Sequence, residues 1–152
     1  MNQDFLDLLS AFNGADVRYL VVGAYAVGVH GHPRATKDLD VWVEASLDNA
    51  PKIIAALQVF GAPLANLGPN DFEKAGTGFM MGIPPRRIDI LTEISGVRFD
   101  EVATRAIQAN FDGVAARVIG FDDLVVNKRA AGRPQDLADV DALERIRRLR
   151  PL

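Results

Sequence analysis

The chain contains no cysteine among its 152 residues. That excludes a disulfide framework and a thiolate zinc site, and it makes a reducing cytoplasm the expected compartment. Long apolar runs are lacking as well. The longest, Tyr19 to Val29, falls short of the roughly 20 residues that a membrane-spanning helix needs. No basic stretch followed by a short apolar run opens the sequence, so no signal peptide is expected. Nor is there an excess of positive charge. Lys and Arg number 17 against 20 Asp and Glu, a net charge of −3, which argues against broad, non-specific binding to nucleic acid. What remains is ordinary globular usage, 49% apolar and 24% charged, which excludes disordered and fibrous architectures.

No repeat, low-complexity stretch or linker divides the sequence, so residues 1–152 are expected to form a single domain, helical over 119–152. Phe5, Leu6, Leu8, Leu9 and Phe12 recur at helical spacing and predict a helix over 2–13, ended by Gly14. A strand over 18–23 is followed at once by a helix over 24–30, and a strictly alternating strand covers 38–44. Ser46 or Asp48 can cap the next helix, which Gly61 ends, and 62–77 reads as loop with room for one helical turn. Strands over 78–83 and 87–93 flank a Pro84-Pro85 turn. A helix over 100–108, a strand over 115–119 and two closing helices, 122–131 and 136–149, complete the pattern. The sequence therefore predicts an α/β (α+β) fold, a mixed sheet flanked by helices.

Asp38 and Asp40 are two apart in a strand, so both side chains leave one face, while Leu39, Val41 and Val43 leave the other. Two carboxylates projecting side by side repel unless neutralised, and a hard divalent cation does this well. Gly23-Ala24 lies at a strand-to-helix junction, where a glycine lets backbone N–H groups approach a phosphate. Asp89 sits between Ile88 and Ile90 in an apolar strand. Buried unpaired it would be costly, so it faces solvent, a cation or a metal, with Arg86 and Arg87 as neighbouring partners.

Val22-Gly23-Ala24, a spacer, Asp38-Leu39-Asp40-Val41 and the later Asp89 together resemble the pattern of the DNA polymerase β-like nucleotidyltransferases. The stretch Val21 to Glu44, with Arg34, Thr36, Lys37, Asp38 and Asp40 in sequence, looks most like the AbiEii-type minimal nucleotidyltransferases of abortive-infection and toxin–antitoxin systems. Asn127 to Leu143 resembles that family's closing helices, which makes Lys128, Asp136 and Asp139 site candidates. Two features depart from the family. Ala24 stands where a second glycine or a serine is usual, and many AbiEii-type enzymes are much longer, which implies a partner or a reduced acceptor region.

The resemblance implies a nucleotidyltransferase fold and metal-dependent transfer of an NMP from an NTP to a hydroxyl acceptor. Asp38 and Asp40 would bridge two Mg²⁺ (or Mn²⁺) ions and Asp89 would bind the one on the acceptor side. Gly23, Ala24, Arg34, Thr36, Lys37 and Lys128 would meet the nucleotide, Lys128 as a surface lysine whose loss leaves stability nearly untouched. The acceptor would be a tRNA end, a protein or a small molecule, and an antitoxin-like protein would be the partner. An antibiotic-modifying enzyme and a catalytically weak nucleotide-binding subunit are the alternatives. His30 and His32 read as packing or loop residues. Trp42, on the carboxylate face, is expected either to border a base pocket or to be a half-buried strand residue. Arg145, Arg147, Arg148 and Arg150 form a basic run, at most a weak RNA-facing patch.

Overall fold

The computed structural model describes residues 1–36 and 38–150. Helix α1 (Gln3–Gly14) starts where the Asn2 side chain accepts a hydrogen bond from the Phe5 N–H, at 3.0 Å. Its i, i+3, i+4, i+7 set, Phe5, Leu8, Leu9 and Phe12, is fully buried. Strand β1 (Tyr19–Val22) is buried throughout and runs directly into α2 (Gly23–Val29). Strand β2 (Asp38–Val43) follows, then α3 (Asn49–Phe60), where the Asn49 N–H donates to Ser46 Oγ and Gly61 closes the helix at φ +94°. The buried Asn49 side chain also bonds Arg18 and the Glu44 carbonyl, tying the start of β1 to the end of β2.

The loop after α3 holds one 3₁₀ turn, Pro69–Phe72. Beyond it lie β3 (Gly78–Met81), β4 (Arg87–Leu91), α4 (Phe99–Val102), β5 (Ile107–Phe111), β6 (Val114–Val118), α5 (Phe121–Ala131) and α6 (Pro134–Leu149). The six strands form one mixed sheet in the order β3-β4-β2-β1-β6-β5. β1 is antiparallel to β2 and parallel to β6, and β2 is parallel to β4. The outer pairs β3–β4 and β5–β6 are antiparallel hairpins.

One element departs from the expected pattern. The helix expected over 100–108 stops after a 3₁₀ turn at Arg105, and Ile107 and Gln108 begin β5 instead. The cause is Asp112-Gly113, whose φ values of 49° and 95° make the two-residue turn that twists a hairpin correctly. Pairing of β5 with β6 thus overrides the weak helical pattern.

Leu39, Val41, Ile88 and Ile90 bury one face of the central strands completely. On that side Asp4 of α1 and Phe60 of α3 share a groove with Met81 and Ile88. The opposite face carries Asp38, Asp40 and Asp89 and is met by α5 and the start of α6. No described helix is long and apolar enough to cross a membrane.

Candidate active site

The β2–β4 register brings the acids together. In this parallel pair Asp40 stands opposite Asp89, and Asp38 opposite Arg87. Registered neighbours of parallel strands share a face, so three carboxylates and one guanidinium leave the sheet side by side. Period-two patterning placed Asp38 and Asp40 together from sequence alone, but only the tertiary pairing sets Asp89 against Asp40.

All three line a cleft of about 620 Å³. Gly23, Ala24, Arg34, Thr36, Lys128 and Asp136 line it too; of the other candidates named from sequence, Asp139 lies behind the lining and Lys37 lies outside the described residues. Gly23 has a local reason to be glycine. Its φ is +70°, and a Cβ at that position would collide with the Asp40 carboxylate. The Thr36 hydroxyl donates to the Asp38 carbonyl at 3.1 Å and accepts from the Asp38 N–H at 3.3 Å, fixing the backbone where the acidic strand begins.

Burial, and then the facing charge and hydrogen bond of Asp89 and the charge of Asp38, push the Asp40 carboxyl up to about 7, against an opposing pull from Lys128. A buried oxygen of Asp38, Oδ1, has no hydrogen-bond partner among the described residues. Crowded acids with an orphaned acceptor are the donor set that suits a hard divalent cation. The side chains are not yet gathered as ligands, since no three described acidic or imidazole groups form a ready metal cage. Asp89 is turned toward Arg87, whose Nε donates to its Oδ1 at 3.0 Å. Arg86, the adjacent cation, reaches Asp4 instead, at 3.6 Å.

Lys128 corrects an expectation. It is not a surface lysine but is buried, with Nζ 3.0 Å from Asp136 Oδ1 and 3.1 Å from Asp139 Oδ2. Arg34 holds Asp139 through two hydrogen bonds, of 3.0 and 3.1 Å, and Gln135 adds a third. Arg133 reaches Asp136 at 2.7 Å. Burial alone would raise both acids. Hydrogen bonds from Arg133 and Lys128 to Asp136, and from Arg34, Lys128 and Gln135 to Asp139, instead hold both below the ordinary carboxylate range. The network ties the loop before β2 to α5 and α6 beneath the cleft.

Trp42 does not border the cleft. It is 2% exposed and packs edge-on against Phe99, ring centroids 5.1 Å apart, so burial wins over exposure on this face. His30 is a packing residue, bonded to the Ile119 carbonyl at 2.8 Å and edge-on to Phe121, and the half-buried His32 does not line the cleft. Sequence reasoning gave no site role to Arg87, Arg133, Glu93 and Gln135, which line the cleft. Arg87 was findable, because it precedes Asp89 by two residues in a strand and so shares its face.

The profile of a family described as "Nucleotidyltransferase of unknown function (DUF6036)" matches residues 3–149. No curated protein matches the chain.

Proposed function

The chain belongs to this nucleotidyltransferase family, and from that premise we propose that it moves a nucleoside monophosphate from an NTP to a hydroxyl-bearing acceptor. The observation that carries this reading is the register that sets Asp40 opposite Asp89, with Asp38 on the same face of the same cleft. Asp38, Asp40 and Asp89 would hold Mg²⁺ or Mn²⁺, which when bound offsets the crowded charge and stabilises the attacking and leaving oxygens of an in-line displacement. The remaining roles fall to the chain itself. Gly23 and Ala24 offer backbone in place of bulk at the cleft wall, leaving room for phosphate beside Asp40. Arg34 and Arg133 line the cleft with their forks held by Asp139 and Asp136, and their remaining N–H groups would meet phosphate oxygens. Lys37 belongs to the same set by its place between Thr36 and Asp38. Lys128 contributes positive charge from below, as its pull on Asp40 indicates.

The AbiEii-like run from Arg34 to Asp40 supports an acceptor drawn from RNA ends, protein hydroxyls or small molecules, in a toxin–antitoxin setting with an antitoxin-like partner. The test is incorporation of α-labelled NTP into RNA, into the protein itself and into small hydroxyl compounds, with Mg²⁺ present. Transfer by the wild type is expected. Asp89→Asn should lower it by several orders of magnitude, because the group that activates the acceptor is lost. It should weaken NTP binding by less than about tenfold. Transfer that survives Asp89→Asn would overturn the assignment.

A further inference from the structure

Arg87 has no part in the chemistry above, yet it stands in the middle of the site. It faces the cleft from β4, opposite Asp38 in the register, with its side chain 36% exposed and bonded to Asp89. The other described cations lining the cleft are committed to α6: Lys128 to Asp136 and Asp139, Arg34 to Asp139, and Arg133 to Asp136. Among them, Arg87 alone is paired with one of the three strand acids.

We propose that Arg87 is a resident counter-ion that competes with the divalent cation for Asp89 and, when displaced, turns to a phosphate of the bound nucleotide. The proposal rests on the nucleotidyltransferase reading. A carboxylate held by a charge-assisted guanidinium bond offers fewer lone pairs to a metal, and a metal on that carboxylate repels the guanidinium. Once released, Arg87 remains anchored on β4. Asp38 and Asp40 are then engaged by the same cation, and Glu93 lies six residues along, roughly 20 Å of extended chain. The triphosphate is the anion within reach, and the fork of Arg87 matches its oxygens. Before a cation binds, Arg87 thereby offsets the repulsion among the acids, and the same charge is reused when substrate arrives.

The test is calorimetric titration of wild type and Arg87→Met with MnCl₂ alone, and with the non-hydrolysable α,β-methylene ATP in the presence of Mg²⁺. Loss of the competitor should tighten Mn²⁺ binding and loss of the phosphate contact should weaken nucleotide binding. Each change should be roughly fivefold, the size of one partly exposed ion pair. A merely structural arginine would not move the two affinities in opposite directions. In an Asp89→Asn background the effect of Arg87→Met on Mn²⁺ should vanish. Should Arg87→Met fail to fold, Arg87→Lys keeps the charge without the fork, and should bind Mn²⁺ as wild type does but nucleotide more weakly. Unchanged affinities, or two changes of the same sign, overturn the counter-ion role while leaving the metal site standing. A wild type that binds no Mn²⁺ overturns the counter-ion role and the nucleotidyltransferase reading together.

Discussion

Three carboxylates that share a cleft need positive charge nearby, and the protein supplies it from two directions. Arg87 reaches Asp89 from within the sheet, and Lys128 acts on Asp40 from α5. Asp136 and Asp139 explain why a lysine can be buried there at all, since each takes one of its N–H groups. Their presence in the sequence gave no sign of this. A Lys-Arg pair in a helix ordinarily marks a solvated face, and only the packing of α6 on α5 turns Lys128 inward. Lys128→Ala should therefore destabilise the fold by about 3 kcal/mol, because two buried acids lose a shared partner and keep Arg133 on one side and Arg34 with Gln135 on the other. Chemical denaturation of the variant measures this. A change below about 0.5 kcal/mol would mean that those arginines neutralise the pair without it.

At the scale of elements, the strands that carry chemistry were the most legible. Strict alternation in Asp38–Val43 announced both the strand and the face that holds its acids, and an acid flanked by isoleucines marked Asp89 as exceptional. Register was not legible, because nothing local says that Asp40 pairs with a residue 49 positions away. The β5–β6 hairpin was missed although its signal was present, in an Asp112-Gly113 pair bounded by Phe111 and Val114. That hairpin lies at the sheet edge, away from the cleft. Gly113→Ala should cost roughly 1 kcal/mol, since φ is +95° and nothing crowds a new Cβ, so backbone conformation is the sole penalty. Metal and nucleotide affinities should stay at wild-type values. A loss of nucleotide binding in this variant would show that the edge strand communicates with the site.

For the whole molecule, the ionic network beneath the cleft ties the closing helices to the sheet and gives stability a defined acid limit. Asp136 faces Arg133 and Lys128, and Asp139 faces Arg34, Lys128 and Gln135. Both carboxyls are depressed below the ordinary 3.8 in the folded state, so below that value the unfolded chain binds more protons. Their contribution is complete above the ordinary carboxylate value and is lost as pH falls through the folded one. Asp40, raised to about 7, works in the opposite sense, since its protonation favours the fold as pH falls from neutrality. Stability measured from pH 7 downward should therefore rise first and drop only in the acid range, and the drop should shrink in Asp136→Asn, Asp139→Asn. An equally steep drop in that double variant would place the acid limit elsewhere. The central claim, that the facing acids of β2 and β4 form a divalent-cation site, is tested most directly by calorimetric titration with Mg²⁺ or Mn²⁺. Wild type should bind and gain thermal stability by mass action, and Asp38→Asn, Asp40→Asn should fold and bind none. Unchanged binding in that folded variant would contradict it.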